Sequence, residues 1–187
     1  MIRYFKKAIP LSIIATGIMA SASFADTFTL RVGSGHPSKP TAYVTNMEKV
    51  LVPNIKKRVA AETNHKVRII EAYAGKIAKV HETLEAVEKG LLDIGSYCVC
   101  FETAKLLPWN FDYFVPFTTT NLETNWAVKH KILKQFPYLT KMLEDKYNQK
   151  FIAMQGFDDY GLGTVKQWQK ASELKGVKVI AAGPNLP

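Results

Sequence analysis

The sequence predicts an α/β fold built on a parallel sheet, and three stretches predict it. The first is 77–101. Ile77, Val80, Leu84, Val87 and Leu91 recur at steps of three and four, the spacing of one helix face, with Glu82, Glu85, Glu88 and Lys89 on the other. Gly90 then offers a residue suited to the left-handed position after a last helical turn. The second is 27–63, an alternating β-rich run, a Gly-Ser-rich loop and a long amphipathic stretch. The third is 66–72, a short apolar strand that feeds through Tyr73-Ala74-Gly75 into the first helix. Strands separated by helices in this order make βαβ units, which place helices on the faces of a parallel sheet.

The first residues are set aside before the fold. Arg3, Lys6 and Lys7 form a basic start, 8–19 is mostly apolar, and Ala20-Ser21-Ala22-Ser23-Phe24-Ala25 supplies small residues for cleavage. This pattern predicts a secretory signal over 1–25. The apolar run is shorter than the roughly twenty residues that span a bilayer, so export to the periplasm is expected, with no insertion in the membrane after cleavage. Removing 1–25 leaves 162 of the 187 residues, enough for a domain with its own core. Of the 25 basic residues 22 remain, against 16 acidic ones. The lysines are spread along the chain. The densest run, 129–150, carries Ile132, Leu133, Phe136, Leu139, Met142 and Leu143 at helical spacing, so its lysines are expected on a solvated face. Nucleic acid is not an expected partner.

Residues 27–32 read as the first strand. Gly33-Ser34-Gly35-His36-Pro37-Ser38 follows as a loop that exposes backbone N–H groups, the position where an open α/β sheet takes its ligand. The two glycines are not a dinucleotide fingerprint, because the third is missing. A helix is expected over 41–63, with Tyr43, Met47, Val50, Leu51, Ile55 and Val59 inward and Pro53 kinking or breaking it. Residues 91–101, nearly uncharged and carrying Ile94, Tyr97, Val99 and Phe101, read as a buried strand. In such a strand Cys98 and Cys100 would stand about 6.5 to 7 Å apart at their Cα atoms, so reduced or poorly bridged thiols are expected. The aromatic passage 106–117 is expected to pack onto the sheet. Helices follow over 121–135 and 137–147, then a strand over 150–156, a turn-rich stretch over 157–163 and a last strand over 177–181.

Hydrolase and metalloprotease signatures are absent. Gly33-Ser34-Gly35 lacks the flanks of a nucleophile elbow, and His81-Glu82-Thr83-Leu84-Glu85 has Glu85 where a zinc helix needs its second histidine. No acid/base pair is assigned by spacing, no cofactor is indicated and no enzyme activity is expected.

The order of these elements, together with the exported start, Leu84-Glu85-Ala86-Val87-Glu88-Lys89-Gly90-Leu91-Leu92-Asp93-Ile94, Val115-Pro116-Phe117 and Glu173-Leu174-Lys175-Gly176-Val177-Lys178-Val179, resembles the extracytoplasmic solute-binding proteins of tripartite ATP-independent periplasmic (TRAP) transporters. The resemblance implies an α/β fold of the periplasmic-binding-protein type II kind. Its two lobes would close on a small organic ligand, a carboxylate or an aromatic compound, and deliver it to TRAP membrane permease subunits. It implies a complete first lobe over 26–150, a hinge strand over 151–157 and a second lobe begun over 158–187. Family members are longer, which implies that most of the second lobe is missing. The implied ligand contacts are His36, Tyr97, Cys98 and Tyr160, with Glu102 a weaker one. Tyr97 ranks above Cys98 because an aromatic face stacks on a planar ligand. The family's carboxylate-binding arginines are absent: Ile180 stands at one position and the neighbourhood of Tyr160 at the other. Either the ligand is not held by carboxylate forks, or another group such as Lys166 or His36 substitutes, and an aromatic or less charged compound fits the resemblance as well as a carboxylate. The alternative is a non-catalytic periplasmic interaction or scaffold domain of the same fold.

Overall fold

A computed structural model describes residues 25–115, 119–156 and 162–178. The architecture is mixed α/β around a small parallel sheet of three strands in the order β2-β1-β3, where β1 is Thr27–Gly33, β2 is Lys66–Ala72 and β3 is Ile94–Gly95. β1 pairs along its whole length with β2, from Thr27 opposite Lys66 to Gly33 opposite Ala72. On its other edge only Val32 and Gly33 pair, with Ile94 and Gly95. Parallel neighbours need a crossover, and the helical stretch after β1 supplies it.

That stretch is not one regular helix. α1 (Ala42–Asn46) passes through a π-helical turn, Met47–Leu51, into α2 (Val52–Glu62). Pro53 has no N–H to give to the preceding turn, and the wider turn absorbs the loss by letting the Val52 N–H reach back to the Met47 carbonyl. The extra residue rotates the inward stripe. Val44, Met47 and Val52 are buried while Val50, expected inward, is 53 % exposed. The buried three join Val32 and Tyr73 in the cluster that covers the sheet.

The helix expected over 77–91 is shorter. Lys79 begins it, its N–H held by the Glu82 carboxylate at 2.8 Å, and a 3-10 turn, Val80–Glu82, leads into α3 (Thr83–Glu88). The ends of the expected stripe, Ile77 and Leu91, are exposed, and Leu84 and Ala86 carry the burial. α3 closes as its sequence predicts. Gly90 sits at φ +68, its N–H bonds to Val87 O at 3.0 Å and the Leu91 N–H to Ala86 O at 2.7 Å, a Schellman ending. Gly90→Ala is therefore expected to cost about 1 kcal/mol, readable as a lower urea midpoint with an unchanged slope.

The buried strand expected over 91–101 is corrected. Only Ile94–Gly95 joins the ladder, because β1 ends at Gly33 and offers no further partner. The chain then coils into a 3-10 turn, Val99–Phe101. This coiling also corrects the expected separation of the cysteines and the reduced form that was one of the two expected for them. It brings the Cα atoms of Cys98 and Cys100 to 5.1 Å, and the two are joined by a disulfide.

The aromatic passage forms a 3-10 segment, Leu107–Phe114, and it packs on helices rather than on the sheet. Trp109 donates from Nε1 to Leu139 O at 3.1 Å. Asn110, fully buried, donates to Val99 O at 3.0 Å and Leu106 O at 2.9 Å. Leu84, Leu106, Trp109, Leu139 and Leu143 form this second cluster, which ties α3 to α5 (Tyr138–Tyr147). α4 (Leu122–Gln135) starts where the sequence places it, with Asn121 as N-cap accepting the Thr124 N–H at 2.8 Å. α5 ends at Asn148 in the left-handed conformation, φ +50. Residues 150–156 join no ladder among the described residues, so the strand expected there is corrected to an irregular segment. It is tied back by Asn46 Nδ2 donating to Gln155 Oε1 at 2.8 Å. Of the strand expected over 177–181, Val177 and Lys178 are not in strand conformation, and the rest lies outside the described residues.

Candidate functional site

The carboxyl ends of the three strands, Gly33, Ala72 and Gly95, lie side by side, and the loops that leave them are laced together. Ser34 N–H bonds to Ala72 O at 3.2 Å, Ala74 N–H to His36 O at 3.0 Å and Ser96 N–H to Gly33 O at 3.0 Å. Gly35 is pressed against the start of α3: a Cβ there would fall 2.2 Å from the Val80 backbone nitrogen. Its N–H donates to Thr83 Oγ1 at 3.1 Å. Beyond these loops opens a cleft of about 1760 Å³, walled by α1 and the π turn, the 96–101 loop, the aromatic segment, α4 and residues 148–156.

His36, Tyr97 and Cys98 all line this cleft. His36 Nδ1 lies 2.5 Å from the Tyr43 hydroxyl, and its ring leans on Phe101 at 5.3 Å between centroids. Burial pushes the Tyr43 phenol up to about 12, despite the Cys98 backbone N–H that bonds to its oxygen. Burial, with a smaller contribution from the His81 charge, lowers the His36 pKa below its ordinary 6.5. At neutral pH a protonated phenol therefore faces a neutral imidazole. The Tyr43 hydroxyl and His36 Nδ1 share one hydrogen bond, which holds the imidazole ring in the cleft lining.

The sign of the linkage follows from the lowered pKa. As pH falls through 6.5, the unfolded chain takes up a proton before the folded one, so the stability held in neutral His36 is complete above that pH and is lost below it. Melting temperature is expected to drop between about pH 7.5 and 5.5, and His36→Gln to drop less over the same interval.

Tyr97 is largely buried. Its hydroxyl donates to Gln149 Oε1 at 3.2 Å, and Gln149 Nε2 donates in turn to Leu84 O at 2.8 Å. Burial first, then the carboxylates of Glu102 and Glu85, raise the Tyr97 pKa, so the phenol is uncharged. Cys98 presents a disulfide and not a thiol, and its Sγ accepts the Cys100 N–H at 3.3 Å. It supplies polarisable surface and no nucleophile.

Glu102 does not line the cleft. It is 5 % exposed, and its Oε2 pairs at 3.0 Å with Lys105 Nζ, which also pairs with Glu85. Lys166 is exposed and away from the cleft. Tyr160 and Ile180 lie outside the described residues.

The residues that sequence reasoning missed are Lys129 and Asp112. Lys129, expected on a solvated helix face, is 6 % exposed, and its Nζ meets Asp112 Oδ2 at 2.6 Å in the cleft wall. The signal was present. Lys129 stands three and four residues before Ile132 and Leu133, the α4 residues packed on the second cluster, so helical spacing sets it on the inward face.

The cleft is thus mostly apolar and aromatic, with one neutral imidazole, one disulfide, the ion pair of Lys129 with Asp112, the Arg31-paired Asp93 and the exposed Lys150. No known protein family, curated protein or solved structure gives a match to this chain.

Proposed function

We propose that this protein is the periplasmic solute-binding component of a TRAP-type transporter, capturing a small organic acid or aromatic compound and passing it to the membrane permease subunits. The observation that carries the reading is the position of the cleft. It opens outside the carboxyl ends of a parallel sheet, the usual ligand position in α/β folds, and gathers His36, Tyr97 and Cys98 in one wall. Residues 26–150 are read as the first lobe of a periplasmic-binding-protein type II fold, 151–157 as the hinge and 158–187 as leading into the second. The bond from Asn46 to Gln155 anchors the proposed hinge to the first lobe. Binding in such an architecture comes from closure over the ligand, with no bond made or broken.

Thermal shift and calorimetry against a panel of organic acids and aromatics test this reading. At least one compound is expected to raise the melting temperature in a concentration-dependent way, as mass action requires of a ligand that binds only the folded state. His36→Ala and Tyr97→Phe are expected to weaken it. A panel that leaves the melting temperature flat at millimolar concentrations rejects the proposal. A second reading, a non-catalytic interaction domain, is favoured by Ile152, Val165 and Trp168, which are exposed apolar side chains along the segment after α5. It predicts co-purification with a protein partner and no small-molecule shift.

A further inference from the structure

Within the solute-binding reading, on which this inference rests, we infer that Asp112 and Lys129 make the cleft selective for an uncharged aromatic compound that donates a hydrogen bond, such as a primary amide or a phenol, over a carboxylate. The ammonium of Lys129 is already engaged. It lies 2.6 Å from Asp112 Oδ2, and its side chain is only 8 % exposed. A ligand carboxylate entering here would compete with Asp112 for the same cation and set two negative charges beside one positive in a partly desolvated wall. The other charged groups of the lining do not reverse this. Asp93 is paired with Arg31 at 3.0 Å, and Lys150 is exposed to solvent, where a charge contributes little. Asn125, one turn before Lys129 on the same face of α4, adds a buried carbonyl oxygen with no hydrogen-bond partner, a further acceptor and not a donor.

What this wall accepts is a donated hydrogen. The Asp112 side chain keeps 31 % of its surface open, and an N–H or O–H directed at a carboxylate makes the stronger, charge-assisted kind of bond. The rest of the wall suits a ring. Trp126, half exposed on α4 and tilted against His130 at 3.9 Å between centroids, and Tyr113, from the same 3-10 segment as Asp112, both line the cleft. Flat apolar surface beside hydrogen-bond acceptors, Asp112 foremost, describes the complement of benzamide or phenol.

Calorimetry on the full chain with benzamide, phenol, benzoate, benzylamine and succinate tests this. Benzamide and phenol are expected to bind about tenfold more tightly than benzoate, the worth of one good hydrogen bond. Asp112→Asn, which frees the Lys129 charge, is expected to raise benzoate to the level of benzamide or above. Because that variant also breaks a buried pair, Trp126→Ala serves as the second. It is expected to weaken benzamide about fivefold with little change in melting temperature. Benzoate or benzylamine binding as tightly as benzamide to the unaltered protein overturns the inference, as does a Trp126→Ala variant with unchanged benzamide affinity. If benzoate or succinate binds and benzamide does not, the solute-binding reading stands and this inference falls. If none of the five binds, both fall.

Discussion

Asp112→Ala is expected to destabilise the protein by about 3 kcal/mol, among the largest losses from any single change in the cleft wall. The cost is not the lost attraction itself. Lys129 would be left 6 % exposed with no counter-ion, and a buried ammonium without a partner carries its whole desolvation penalty. At this chain length each kcal/mol moves the melting temperature by about 2–4 °C, so a fall near ten degrees is the reading to look for. The double change Asp112→Leu with Lys129→Met removes both charges and keeps side-chain volume. It is expected to recover most of the loss, because a buried pair is often no more stabilising than an apolar one. A double variant no more stable than the single one would show that Asp112 matters for some reason other than its charge.

Leu84→Ala is expected to cost about 3–5 kcal/mol, readable as a lower denaturant midpoint. Leu84 is fully buried at the centre of the cluster that joins α3 to α5, where Leu106, Trp109, Leu139 and Leu143 meet it. These neighbours come from two other segments, the 3-10 stretch and α5, so none can collapse into the space without moving its element, and the cavity stays open. The Leu84 carbonyl also accepts from Gln149, which orients Tyr97. The same variant is therefore expected to weaken any ligand that contacts Tyr97. Leu91→Ala, on a residue 52 % exposed, is the control and should change the midpoint little, although both leucines belong to one stripe in the sequence.

That contrast shows how far sequence periodicity reaches. Leu84 and Leu91 are equivalent by spacing, and they differ because Lys79 and Glu82 start the helix late and Gly90 stops it early. Caps are local chemistry, and the one at Gly90 was legible. The extent of β3 was not, since strand length depends on how far the neighbouring strand runs. The cysteines failed for the same reason: their separation follows from whether residues 97–101 extend or coil, which pairing with β1 decides. In the cleft, His36 could be named beforehand from its loop after β1, since in a parallel sheet the loops after strands gather at one end; Tyr97 and Cys98 were expected on a strand and reach the cleft because that strand stops at Gly95. Lys129 and Asp112 could not be paired beforehand, since 17 positions and an irregular segment separate them.

The amino-acid order alone determined the alternation of strand and helix through β1, β2 and α3, the helices α4 and α5, Pro53 as some form of break, and Gly90 as the residue that ends α3. These depend on contacts within a few residues, where side-chain type and spacing leave few choices. Tertiary structure alone decided which strand residues found partners, which lysine lost its water, and which rings faced the cleft and not the core. Each of those outcomes depends on groups distant in the chain meeting in space, and burial then sets how strongly their charges and hydrogen bonds act.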